Sequence, residues 1–225
     1  MKTLEKTDSE IKTDVLSELK YQPSVKASDI GVLVHEGAVT LNGFVGSYGE
    51  KWDAVNATKR VRGVSAIADD IKIKLSHSTE RTDSDIAADA ANQIKRNTTI
   101  PAGGVQVTVS EGWVTLEGVV EWRYQYIAVQ DVIKYLPGVK WVTNLITIKP
   151  KLVPVNIETT ITAAIERNAL LNAKNIQVEA AGGKVILRGM VRYYAEREEA
   201  ERVAWAAPGV ISVDNQLKLE WSFGA

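Results

Sequence analysis

The chain has 225 residues, 45% of them hydrophobic, with 27 basic and 28 acidic side chains, a formal net charge of −1 and no cysteine. The apolar fraction is that of a globular protein, the missing cysteine excludes disulfides, thiolate metal sites and thiol catalysis, and a pI near 6.2 is not the basic excess that nucleic-acid binders carry. No apolar run is long enough to cross a bilayer as a helix, and the opening residues MKTLEKTDSE hold no apolar signal core, which predicts a cytoplasmic protein.

The first predicted element is a helix. Ile11, Val15 and Leu19 recur at a spacing of four and form one apolar stripe, and Asp8 is placed to cap its start. Alternation then takes over: Ile30, Val32 and Val34 predict a strand with one buried face. Glu36-Gly37 predicts a tight hairpin turn, because glycine takes positive φ without steric cost. Val39, Leu41 and Val45 predict the returning strand, in which Gly43 marks either a bulge or the close approach of a helix. A second helix is predicted over about 47–61, with Ala54, Ala57 and Val61 inward and Gly63 as its stop. Lys59, Arg60 and Arg62 complement the dipole at its end. The last strand carries Ile67, Ile71 and Ile73.

Past the polar segment HSTERTDS the same order begins again. TDSEI at 7–11 returns as TDSDI at 82–86, and EGAVTLNGFV at 36–45 returns as EGWVTLEGVV at 111–120 and GGKVILRGMV at 182–191. Gly43, Gly118 and Gly189 stand in register, as do Gly63, Gly138 and Gly209. The first helical stripe recurs as Ile86, Ala90 and Ile94 and as Ile157, Ile161 and Ile165, with Asp83 as the second N-cap and Pro154 suited to the start of the third helix. A phrase repeated at a fixed interval marks a repeated structural unit.

The fold class is therefore α+β: three tandem α-β-β-α-β units, spanning 1–77, 78–152 and 153–225. Each is a three-stranded mixed sheet covered on one face by two helices. A helical crossover leads to the last strand, so that strand runs parallel to the second. Units this small bury marginal cores, and contacts between units or chains add stability. The linker KPKLVPVN at 149–156 has two prolines, which stiffen it. Leu152 and Val153 are expected to dock there and to make units two and three the more rigid pair. Trp221 and Phe223, past the last strand, need a covering surface.

This order of elements resembles the BON domain, a bacterial family named for osmotically induced and nodulation proteins. The resemblance rests on EGxVTLxGxV and on PGV followed by VTN or VDN. Gly112, Gly118, Gly138, Val142 and Asn144 match the family's pattern, as do Gly183, Gly189, Gly209, Val213 and Asn215; the first unit departs from it with Asp69. The resemblance implies an interaction module rather than an enzyme, one that contacts phospholipid or ties envelope components together. It also implies a periplasmic or envelope-associated location as the alternative to the cytoplasm.

The side chains themselves offer no catalytic constellation. His35 and His77 are the only histidines, and neither has a partner at metal-ligand spacing. Glu36 and Glu111 give way to Gly182, and Asp69-Asp70 to Asn144-Leu145 and Asn215-Gln216, so these acids read as turn and solvated-strand residues. The aromatic residues are placed unevenly. Trp113 and Trp141 fall on the sheet face away from the helices, where unit one has Thr40, Asn42, Ala66 and Ala68. Tyr124, Ile127 and Tyr135 lie outside the core stripe of the second helix, where unit three has Ala195, Glu198 and Ala206. With Trp122, the candidate contact residues are Trp113, Trp141, Tyr124 and Tyr135. Neighbouring units, a second copy, or a ligand or membrane would cover them. Two functions follow: an envelope or stress-response protein that binds phospholipid, envelope components or protein through these faces, or a homo-oligomer that forms a ligand-binding or solute-transport structure. No cofactor, metal or nucleic acid is expected.

Overall fold

The computed structural model describes residues 6–76, 80–151 and 156–219. Leu152, Val153, Pro154, Trp221 and Phe223, on which the linker, helix-start and tail expectations rest, lie outside the described residues. Unit one runs α1 (Asp8–Tyr21), β1 (Ile30–His35), β2 (Ala38–Val45), α2 (Tyr48–Lys59) and β3 (Ala66–Ile73). Unit two runs α3 (Asp83–Arg96), β4 (Val105–Ser110), β5 (Trp113–Val120), α4 (Arg123–Lys134), β6 (Trp141–Asn144) and β7 (Thr147–Ile148). Unit three runs α5 (Ile157–Glu166), β8 (Ile176–Ala181), β9 (Lys184–Val191), α6 (Tyr194–Ala206), β10 (Ser212–Asn215) and β11 (Lys218–Leu219). The middle strand of each sheet pairs antiparallel with the strand before it and parallel with the strand after its helix. Each unit has its own apolar core, built on Leu19 and Leu41, on Ile86 and Leu116, and on Ile161 and Leu187.

The structure corrects the predicted helix caps. Thr7 and Thr82, not Asp8 and Asp83, are the N-caps. Each threonine hydroxyl accepts from the backbone N–H three residues on, and the acid there accepts the threonine's own N–H, a capping box. Asp8 reaches instead across to the hairpin turn. Its carboxylate accepts the N–H groups of Glu36 at 2.9 Å and Gly37 at 3.0 Å. Asp83 does the same for Glu111 at 2.7 Å and Gly112 at 2.9 Å. Glu36 and Glu111 sit at φ 48° and 54°, a left-handed conformation that is costly for any side chain with a Cβ. Proline stands at the aligned position of unit three, and there the turn is Gly182-Gly183, at φ 55° and 81°. Glycine meets the same backbone demand without a carboxylate to hold it.

These bonds predict an acid limb of stability. The Gly37 and Glu36 N–H groups hold the Asp8 carboxyl below its ordinary value, and the Thr7 N–H and hydroxyl do so for Glu10. A carboxylate with a lowered folded pKa contributes stability above its unfolded pKa and loses it as pH falls through the folded one. Thermal melting should be level from neutrality down to about pH 5 and fall below about pH 4. Asp8→Asn should flatten that fall, and an unchanged acid limb would show that the clamp does not act.

The strand glycine marks a close approach and not a bulge, though neither α-helix of the unit makes it. Gly43, Gly118 and Gly189 hold φ values of 119°, 143° and 128°. A Cβ on them would overlap the carbonyl oxygen of Asp29, Gly104 or Asn175, the residue just before the first strand. The close neighbour is therefore backbone leading into β1, β4 or β8, which in units one and three is the last residue of a one-turn 3-10 helix (Ala27–Asp29, Ala173–Asn175), and the antiparallel pairing ends at the glycine without a bulge.

Asp69 is likewise more than a solvated strand residue. Its Oδ1 accepts from the Ile71 N–H at 3.2 Å, as Asn144 does from Ile146 and Asn215 from Leu217. Asn215 also donates its amide to the Arg197 carbonyl of α6 at 3.1 Å. A carboxylate cannot donate, and here Lys51 on α2 supplies the proton, with its Nζ 3.2 Å from Asp69 and 2.7 Å from the Ile71 carbonyl.

The middle helices join the units into a ring. At the start of α2, Tyr48 is 5% exposed and packs into the core of unit two, while Gly49 lies against the Tyr135 ring at the end of α4. At the start of α4, the Arg123 guanidinium lies 4.7 Å from the centroid of Trp205 near the end of α6. At the start of α6, Tyr194 faces the Lys59 ammonium at 5.7 Å, and Lys59, at the end of α2, pairs with Glu198 at 2.7 Å. In the repeat register Tyr48, Arg123 and Tyr194 are equivalent, as are Lys59, Lys134 and Trp205. The seams run head to tail and close, a pseudo-threefold arrangement of heterologous contacts. Every unit touches both others.

Candidate functional site

The seam between units one and two leaves a cleft of about 310 Å³. Its walls are aromatic: Tyr48 and Trp52 from α2, Tyr126 from α4, and Trp141 from the edge strand β6. Tyr48 meets Trp141 edge-on, with centroids 5.7 Å apart, the geometry that the ring quadrupole favours. Burial pushes the Tyr48 hydroxyl above its ordinary pKa, and the nearby Asp69 carboxylate adds to the shift. The floor is polar and carries the Lys51–Asp69 pair, with Gln130 and Asn144 beside it. The Lys51 ammonium also lies 5.5 Å from the Trp141 centroid, a cation–π contact.

The predicted contact residues do not form one site. Trp113 and Trp141 pair across β5 and β6 and stand together on the outer sheet face, with ring centroids 6.1 Å apart. Trp141 turns toward the cleft at 39% exposure, while Trp113 stays open at 57%. Trp122 and Tyr124 form a separate stacked pair at the start of α4, with centroids 6.4 Å apart. Neither takes part in the seam contacts described above, and both are exposed, as is Ile127. Tyr135 belongs to the seam: its hydroxyl donates to Asp53 at 3.0 Å, and burial, with that bond next, raises its pKa.

Sequence reasoning missed Tyr48, Trp52, Lys51 and Asp69 as cleft residues. The signal was present in the repeat alignment, where Gly49 stands opposite Tyr124 and Ala195, and Trp52 opposite Ile127 and Glu198. Uneven aromatics in unit one deserved the weight given to those of unit two. Among the described residues, no group of three or more histidines and carboxylates is placed to hold a metal ion.

Comparison with known proteins gives three matches to the model of the BON domain, at residues 7–74, 82–150 and 155–220. The chain is 32% identical over 143 residues to osmotically-inducible protein Y of Escherichia coli (strain K12), covering 61% of this chain and 70% of the relative. Among solved structures, the C-terminal domain of CdsD, a structural protein of the type III secretion system of Chlamydia trachomatis, aligns over 93% of this chain and 96% of its own, at 13% identity and a TM-score of 0.27. A second structure of that protein gives a TM-score of 0.26. Scores this low carry no argument about fold or function.

Proposed function

The chain belongs to the BON domain family, and from that premise we propose that it is a non-enzymatic interaction protein of the bacterial envelope that acts under osmotic stress. Kinship with an osmotically inducible protein supports the stress assignment, and the family resemblance supports envelope placement over the cytoplasmic one. The observation that carries the reading is the Trp122–Tyr124 pair with Ile127, exposed at 38%, 55% and 42%. The seam contacts described above are made by other side chains, and these three stay exposed in the ring. Their rings present an apolar body with a polar tip, the character that suits a lipid–water boundary or a protein partner. No helix among the described residues is long and apolar enough to cross a membrane, and the contact proposed is peripheral.

Cosedimentation with vesicles containing anionic phospholipid tests this. Trp122→Ser with Tyr124→Ser should weaken binding about tenfold or more, close to 1.4 kcal/mol, at an unchanged melting temperature. Binding that survives the double substitution removes this surface from the reading. Light scattering coupled to size exclusion should give a monomer mass. A defined oligomer formed without lipid would turn the assignment to a self-assembling ligand-binding or transport structure.

A further inference from the structure

We propose that the cleft between units one and two binds a neutral saccharide, with the sugar's C–H face on its aromatic walls and its hydroxyls on the polar floor. The aromatic walls call for a ligand with an apolar face, because a ring's negative π-surface attracts weakly positive C–H groups. Charge narrows the class. A cationic ligand would compete with Lys51, whose ammonium already lies over Trp141. An anionic ligand would meet the Asp69 carboxylate, 3.2 Å from Lys51. The pair is mutually neutralised, and a ligand that brings its own charge gains nothing from it.

What the floor retains is hydrogen-bonding capacity in both senses. The Lys51 ammonium has three protons; one goes to the Ile71 carbonyl and one faces Asp69. Each Asp69 oxygen has one contact, the Ile71 N–H or Lys51, and a second lone pair to spare. The Gln130 amide lines the cleft and has no protein partner among the described residues. Spare donors beside spare acceptors match vicinal hydroxyls, each of which donates and accepts. At about 310 Å³ the cleft is at the small end of ligand sites, which run from about 300 to 1,000 Å³. Trp113 extends the platform beyond its mouth, 6.1 Å from Trp141, so a second sugar ring stacks there. The tryptophan that the fold leaves uncovered thereby has a role. This assignment does not rest on the lipid or partner contact at Trp122 and Tyr124, and either can fail alone.

The test is titration of the full chain, followed through its tryptophan indole N–H signals by NMR, with maltotriose, cellotriose and chitotriose as probes. Signals of Trp52, Trp113 and Trp141 should move, and those of Trp122 and Trp205 should stay. Trp113→Ser and Gln130→Ala are the variants of choice, since neither side chain holds a seam. Each should weaken binding by about fivefold or more at an unchanged melting temperature. Three results overturn the proposal. One is no movement with any of the three sugars at about 20 mM, well above a millimolar dissociation constant. Another is movement confined to Trp122 or Trp205. The last is movement with choline chloride or sodium acetate in place of the sugars.

Discussion

Gly118→Val should unfold unit two rather than loosen it. Overpacking against side chains costs about 1–3 kcal/mol, because side chains can move. Here the obstacle is the Gly104 carbonyl oxygen, with the Val105 Cα 3.0 Å from the new Cβ, and backbone paired in a sheet cannot step aside. A Cβ at φ 143° adds strain of about 1–3 kcal/mol. The sum, about 4 kcal/mol or more, is most of the stability of a small domain at the lower end of the usual range, about 5 kcal/mol. Gly118→Ala should be nearly as harmful, since the first carbon makes the clash. Calorimetry checks this: the part of the unfolding enthalpy due to unit two should be lost at ambient temperature. A melting curve shifted by only about a degree would mean that the carbonyl is not the neighbour the structure makes it.

Tyr48→Ala should break the cooperation between units one and two. The ring is 5% exposed yet belongs to α2, and it fills space in the core of the neighbouring unit. Removing a buried aromatic side chain costs about 3–5 kcal/mol, and this loss falls on the seam. The parent should unfold with units one and two coupled, whereas the variant should show a separate, earlier transition. Calorimetric and van't Hoff enthalpies that still agree in the variant would show that the seam carries little energy.

The sequence made the units legible because their registers are local. Ile11, Val15 and Leu19 are buried on one helical face, as their spacing of four requires, and the glycine register marks each turn and strand. The caps were misassigned because Thr7 and Asp8 both suit an N-cap, and only the folded hairpin shows which one is drawn away. Asp69 looked like a drift from asparagine because its compensation, Lys51, lies on another element. The ring was illegible for a similar reason. Lys59 and Lys134 share a repeat position with Trp205, and Tyr48 and Tyr194 share one with Arg123, so no side chain kept in all three copies announces a contact surface. Exposure of aromatics was readable from strand and helix periodicity. Which of them a sister unit covers depended on geometry between units, and periodicity within a unit is silent on that.

The broken third strand has a consequence for aggregation. One edge of each sheet is the strand after the middle helix, and an exposed edge with free N–H and C=O groups is a template on which another chain adds. In units two and three that edge stops after Asn144 and Asn215 and resumes for only two residues, as β7 and β11. The Leu145 and Gln216 N–H groups turn inward to the Leu116 and Leu187 carbonyls, so no long ladder is offered. Unit one keeps β3 unbroken over eight residues, and its safeguard is charge: Asp69, Asp70 and Lys72 lie in that strand. Neutralising Asp70 and Lys72 removes that guard, and unit one becomes the place where copies of this chain would begin to grow into fibrils.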